Sequence, residues 1–340
     1  LILSANIICA QEDEIVTATT VSEPTAEKAY NEGTALLQQK KYKEALAKFN
    51  EAIEHNPEFG KAYLNRATTY SDLKEYDKAV SDYTKAIGIE ESTSAYFGRA
   101  QAHYELNKFD DAKNDYAKII ELDPLYAPAY YYRGGIFFEQ GNYEEAINNY
   151  KVAIANNASY AYAYNDRAGC YRMLGEFDKA MDDYNKAIVY DSKNASFYSN
   201  RGSLKRQTGK PEEAIQDYNE ALQINPNDYI IINNRGLAKY DAGRYQEAIT
   251  DFNEVLKIKS DYTYALNNRG ISKYKIKDYQ GAMADYNEAV RINPDYEYAY
   301  LNRGIVKEML RDEKGACADW KKAFELGAAS AEAYIKSQCK

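Results

Sequence analysis

The sequence predicts an all-α fold, a superhelical solenoid of paired helices closed by a C-terminal capping helix. Three observations carry that expectation. The tripeptide Asn200-Arg201-Gly202 returns at Asn234, Asn268 and Asn302, always 34 residues on. In the same frame a small residue (Gly33, Ala67, Ala100, Gly134, Ala168, Gly202, Gly236, Gly270 and Gly304) precedes an alanine by 12 positions and a large aromatic by 16. Those aromatics are Phe49, Tyr83, Tyr116, Tyr150, Tyr184, Tyr218, Phe252, Tyr286 and Trp320. Finally, two stretches of helical apolar spacing flank a short turn in each period, as at Gln140-Gly141-Asn142. A hairpin of this size cannot bury its apolar face alone, so each must stack on its neighbour. The 340 residues therefore read as one array, not as the two globular domains their number suggests.

Along the chain, residues 1–10, Leu1 to Ala10, read as the remnant of a secretory signal cut after Ala10, the alternative being an ordinary apolar terminus. That reading makes the protein exported, whether periplasmic, in the cell envelope or extracellular. Residues 11–25 turn polar at Glu12-Asp13-Glu14 and are expected to be a disordered leader. The repeat units then occupy 26–59, 60–92, 93–126, 127–160, 161–194, 195–228, 229–262, 263–296 and 297–330, with 331–340 as the capping helix. In each unit, helix A carries the small residue at position eight. The turn suits a left-handed residue, supplied by Gly141, Gly175, Gly209 and Gly243, with Asn107 the next best choice. Helix B carries the alanine and the aromatic, and Pro57, Pro124, Pro226 and Pro294 close four of the units. No later stretch approaches the roughly 20 apolar residues that span a bilayer.

These residues resemble the tetratricopeptide repeat, a 34-residue helix-turn-helix with a small residue, an alanine, an aromatic and a terminal proline in fixed places. The resemblance covers 26–330 and implies a protein-binding array whose concave groove holds a peptide or a partner helix. It also implies a polar capping helix after the last repeat. In the carboxylate clamp of family members that bind chaperone tails, position five is Lys and position nine Asn. Position five here holds Tyr30, Leu64, Phe97, Tyr131, Asn165, Ser199, Asn233, Asn267 and Leu301, which disfavours an acidic tail as ligand.

A charge pair recurs inside the units. Position seven is Arg66, Arg99, Arg133, Arg167, Arg201, Arg235, Arg269 and Arg303, and sixteen residues on stand Asp82, Asp115, Asn149, Asp183, Asp217, Asp251, Asp285 and Asp319. The first unit reverses the signs with Glu32 and Lys48. An exchange that keeps opposite charge argues that the two positions touch, so Arg201 is expected to pair with Asp217, Arg235 with Asp251, Arg269 with Asp285 and Arg303 with Asp319. The competing reading is a free arginine column that binds anions. Lys205, Lys239, Lys273 and Lys307 form a second basic column, solvated by default.

Tyrosine is in excess, with 35 residues against 10 Phe and one Trp. In the repeat frame, 21 of them take positions where helices of the family pack together. Eight lie at positions two, five or twelve of helix A: Tyr30, Tyr104, Tyr131, Tyr162, Tyr240, Tyr264, Tyr274 and Tyr298. This stripe is expected to face the groove, where tyrosine gives rigid area and a polar tip; the alternative is that it shields neighbouring units. Asn200, Asn234, Asn268 and Asn302 at position six, enriched by Asn233 and Asn267, form a second candidate set. In members of the family such amides hydrogen-bond a peptide main chain, and an amide both donates and accepts. The alternative is a contact with the neighbouring unit.

Cys317 lies early in the last helix B and Cys339 near the end of the cap. An antiparallel cap brings them together, either as a disulfide or as two free thiols. Cys170 reads as a small buried residue. A net charge of −9 without a basic block excludes a phosphate-tracking surface and with it nucleic acid. Two His and four scattered Cys leave no metal or cofactor site, and no catalytic constellation stands outside the repeats, His55 and His103 included. The expected function is a non-enzymatic scaffold for a protein or peptide, without a small-molecule ligand. The runner-up is a permanent assembly subunit of a cell-envelope complex.

Overall fold

The computed structural model describes residues 24–339, which form nineteen α-helices and no strand. The signal remnant at 1–10 and the cut after Ala10 lie outside the described residues. The chain divides into two compact bodies, Leu1–Ile136 and Phe137–Lys340, with the boundary inside one helix.

The N-terminal body contains α1 (Pro24–Gln38), α2 (Tyr42–His55), α3 (Gly60–Asp72), α4 (Tyr76–Ile89), α5 (Thr93–Glu105), α6 (Phe109–Leu122) and the start of α7 (Ala127–Glu139). Helix α1 takes in the last two residues of the expected leader, Pro24 and Thr25. A proline costs nothing in a first turn, where its missing N–H has no acceptor, and its φ is already near the helical value. Each helix from α1 to α6 packs on the next, and α1, α3 and α5 also touch in succession.

The C-terminal body contains α8 (Tyr143–Asn156), α9 (Ala161–Met173), α10 (Phe177–Tyr190), α11 (Ala195–Gln207), α12 (Pro211–Ile224), α13 (Tyr229–Asp241), α14 (Tyr245–Ile258), α15 (Thr263–Lys275), α16 (Tyr279–Ile292), α17 (Glu297–Met309), α18 (Glu313–Glu325) and α19 (Ala331–Gln338). Consecutive helices pack throughout, and the odd-numbered helices α9 to α17 form a second contact series.

The turns inside the hairpins share one geometry. Gly175 has φ +78°, and the next amide, Glu176 N–H, reaches back to the Tyr171 carbonyl at 2.8 Å, which caps orphan carbonyls of α9. Lys40, Lys74, Lys277 and Arg311 take the same left-handed conformation without being glycine or asparagine. Those turns follow from the stacking of the flanking helices rather than from local preference.

The large aromatic of helix B lies against the small residue of its own helix A and also reaches the following repeat, as Tyr83 does at Gly98 and Ala102. A Cβ at Gly236 would meet the Phe252 ring at 2.7 Å, and one at Gly270 would meet Tyr286 at 2.7 Å. These two rings therefore need a bare backbone opposite them, whereas Tyr83, Tyr116 and Tyr184 stand opposite Ala67, Ala100 and Ala168. Around them a continuous cluster runs from α12 through α15, with Tyr218, Ile232, Ala238, Phe252, Val255 and Ala265 removed from solvent. At the C-terminal end α19 packs on α18, where Trp320 stacks on Tyr334 with centroids 5.0 Å apart. Cys317 and Cys339 are joined by a disulfide with an S–S distance of 2.12 Å. Cys170 is fully buried, and burial pushes its thiol up to about 12.

Candidate protein-binding face

In the C-terminal body, helices α9, α11, α13, α15 and α17 lie side by side and leave one stripe each uncovered. Positions two, six, nine and thirteen stand within about 60° of one another on a helix, given 100° per residue. In α13 these are Ile230, Asn234, Leu237 and Asp241, in α15 Tyr264, Asn268, Ile271 and Lys275, and in α17 Tyr298, Asn302, Ile305 and Met309. Tyr264 and Tyr298 are 57% and 51% exposed, and Ile230, Tyr162 and Met309 are also open to solvent. A row of exposed apolar side chains thus runs across the starts of α13, α15 and α17, a row of amides beside it, and an aliphatic row beyond.

Positions five and twelve fall outside this stripe, because they are rotated about 60–80° from position two. The expected eight-tyrosine stripe divides accordingly. Tyr162, Tyr264 and Tyr298 stay on the face. Tyr240 and Tyr274 turn onto the start of their own helix B, 5.3 Å from Tyr245 and 5.6 Å from Tyr279 between centroids. Tyr131, half-buried in the N-terminal body, packs edge-on against Tyr132 at 5.1 Å. The exposed rings are themselves held in place. Tyr229, Tyr262, Tyr264, Tyr296 and Tyr298 form a chain of successive ring contacts between 5.1 and 6.3 Å.

The asparagines serve the stacking first. Asn200 Nδ2 donates to Asn165 Oδ1 at 3.0 Å, Asn268 to Asn233 at 3.3 Å and Asn302 to Asn267 at 2.9 Å, each across one repeat and one residue. Asn233 and Asn267 are buried and act as acceptors in these bonds rather than as surface groups. Asn65 does the same in the N-terminal body, donating to the Tyr30 hydroxyl at 3.1 Å. Among the described residues Asn234 makes no side-chain hydrogen bond, and the carbonyl oxygens of Asn200, Asn268 and Asn302 accept none. Those groups remain available on the face.

Behind the face, four arginines each grip two helices B. Arg201 is bidentate to Asp217, with Nε 3.0 Å and Nη2 2.7 Å from its two oxygens, while Nη1 donates to Asn185 of the preceding hairpin at 2.8 Å. Arg235 bonds Asp251 and Asn219, Arg269 bonds Asp285 and Asn253, and Arg303 bonds Asp319 and Asn287 in the same way. The guanidinium of Arg303 is held above its ordinary range by the Asp319 hydrogen bond, against the opposing effect of burial. In the first hairpin Lys48 lies 2.8 Å from Glu32 on a more open surface.

The lysine column is not solvated. Lys205, Lys239, Lys273 and Lys307 each reach the same carboxylate as the arginine, at 2.9, 2.8, 2.8 and 2.8 Å. Each acid therefore sits between two cations. In α5 the equivalent place is taken by His103, whose Nε2 is 3.9 Å from Asp115 and whose pKa burial lowers, so the ring is a poor substitute for a lysine at neutral pH. Because Lys205 keeps Asp217 paired, Arg201→Ala is expected to cost only about 1–3 kcal/mol. Urea denaturation of this variant and of Lys205→Ala checks the division between the two cations.

Comparison with known proteins gives one family. Tetratricopeptide repeat models match residues 30–94, 97–161 and 195–228, and a TPR repeat model matches 170–209, 236–277 and 272–310. Together these matches extend over well more than half of the chain. Among curated proteins, Hsp70-Hsp90 organizing protein 1 of Glycine max is 38% identical over 69 residues, which is 20% of this chain and 12% of that protein. Small glutamine-rich tetratricopeptide repeat-containing protein of Dictyostelium discoideum is 42% identical over 62 residues, 18% of this chain and 19% of that protein. The chain thus spans less than a fifth of the length of these relatives. A solved tetratricopeptide repeat protein from Parabacteroides merdae superposes with a TM-score of 0.59 at 20% identity, covering 73% of this chain and 99% of that one, a likeness of fold.

Proposed function

The chain belongs to the tetratricopeptide-repeat family, and from that premise we propose that it is a non-catalytic scaffold holding a segment of a partner protein against helices α9 to α17. The observation that carries the proposal is the repeated order of groups on that face. Ile230, Tyr264 and Tyr298 lie on one side, Asn234, Asn268 and Asn302 in the middle, and Leu237, Ile271 and Ile305 beyond. Exposed aromatic and aliphatic side chains supply buried area on binding. The amides between them hydrogen-bond a main chain whatever its sequence. Charge on the face is sparse, limited to Asp166, Asp241 and Lys275 at the positions described, so the segment it suits is apolar and weakly charged. An exported location fits the Cys317–Cys339 disulfide, since such bonds persist in oxidising compartments.

Affinity capture from the native compartment tests the face. Tyr264→Ala combined with Tyr298→Ala should recover at least about tenfold less of the partner held by the wild type, with an unchanged thermal midpoint, because the two rings are half-exposed anchors. Asn234→Ala should weaken capture without destabilising the fold, since that amide has no internal partner to lose. Equal recovery by both variants would remove this face from the binding mechanism.

A further inference from the structure

Helix α19 stands in the frame of the repeat. Counting 34 residues from Tyr300 leads to Tyr334, so α19 occupies the place of a tenth helix A. It has eight residues, whereas α9, α11, α13, α15 and α17 have 13 each. In α10, α12, α14 and α16 the residue after the recurring alanine is Met181, Ile215, Ile249 and Met283 in turn, and Met181, Ile215 and Met283 pack into the core clusters with the following helix A. In α18 that residue is Cys317, and it is covered by Cys339 through the disulfide. The disulfide thus stands on α18 where an apolar contact with the following helix stands in the preceding hairpins.

Beyond the disulfide, α19 is held through one small cluster, in which Tyr334 stacks on Trp320 and Ile335 packs beside it. Ala331 is its one fully buried residue, and Tyr334 and Ile335 are half-buried. It has no side-chain N-cap hydrogen bond. An isolated helix of this length does not persist in water. Both disulfide residues are partly open to solvent, whereas Cys170 is sealed in the core with a poorly ionised thiol. Among the described residues, thiol chemistry is thereby directed to the C-terminal pair.

We propose that Cys317–Cys339 is a redox latch between α18 and α19: a dithiol reductant opens it, α19 leaves, and the surface of α18 around Trp320 is bared. A thiolate of the reductant attacks one sulfur, breaking the S–S bond and forming a mixed disulfide. Its second thiolate then displaces that cysteine, so the protein ends with two thiols and the reductant as its own disulfide. The exposed site is the one that α10, α12, α14 and α16 bury under a following helix A, and its opening is governed by the redox state of the surroundings.

The full chain, treated with dithiothreitol and compared with the untreated protein, tests the latch. Mass spectrometry reports the gain of two hydrogens, hydrogen exchange reports on 331–338, and the fluorescence of the single Trp320 reports loss of the Tyr334 stack. Amides of α19 should exchange at least about tenfold faster after reduction, with those of α9 to α17 unchanged. Cys339→Ser should show the fast exchange without reductant and no further response to it. The proposal is overturned if the reduced protein keeps its α19 protection, if the bond resists the dithiol, or if protection falls across the whole body.

Discussion

Replacing Asp251 by alanine is expected to destabilise the protein by about 3–5 kcal/mol, because it leaves two cations facing each other in a nearly dry site. Asp251 is 3% exposed, Lys239 12% and Arg235 19%, and all three meet within 2.9 Å. Removing the acid breaks three bonds at once and leaves the two cations with only the more distant Glu254, 3.7 Å from Arg235. The loss shows as a lower urea midpoint and as fast exchange in α13 and α14. Asp115→Ala makes the internal comparison. There the second group is His103, which burial keeps neutral, so only one cation is stranded and the cost should be visibly smaller. Equal losses at the two sites would contradict the assignment of two cations to Asp251.

The second large effect lies in the core. Phe252→Ala is expected to cost about 3–5 kcal/mol, as for other fully buried aromatic rings. The ring is entirely removed from solvent and lies over Gly236. Gly236→Ala alone should cost about 1–3 kcal/mol through overpacking. In the Phe252→Ala background the clash is gone, and the same substitution should gain up to about 1 kcal/mol from helix propensity and cavity filling. Thermal or urea denaturation of the two single variants and the double variant measures the change of sign. Additive losses would mean that the small residue at this position answers to something other than the ring.

The fold could be read from the sequence because one period governs it. The small residue, the alanine and the aromatic recur at fixed separations, and each separation corresponds to a contact inside a hairpin. The Arg201 and Asp217 columns were legible for a similar reason, since Glu32 and Lys48 exchange the signs without breaking the pair. The binding face was harder. Positions two, five and twelve share a helix side only loosely, and a rotation of 60–80° is enough to put Tyr240 and Tyr274 against Tyr245 and Tyr279. The asparagine bonds had a signal that a strict 34-residue frame hides. Asn165 and Asn200, Asn233 and Asn268, and Asn267 and Asn302 are each 35 residues apart, one repeat plus one residue. The lysines resist reading by hydropathy, because a long apolar stem lets an ammonium group reach an acid twelve residues away while the side chain as a whole is mostly buried.

The double reach of the arginines bears on how the array comes apart. Arg201, Arg235, Arg269 and Arg303 each rivet a hairpin to the one before it through Asn185, Asn219, Asn253 and Asn287. At the junction of α8 and α9 the corresponding place is Lys151, and Arg167 hydrogen-bonds Asp183 alone. Between α8 and α18 there are thus four riveted seams and one bare seam, and nearest-neighbour coupling makes the bare one the natural halt for partial unfolding.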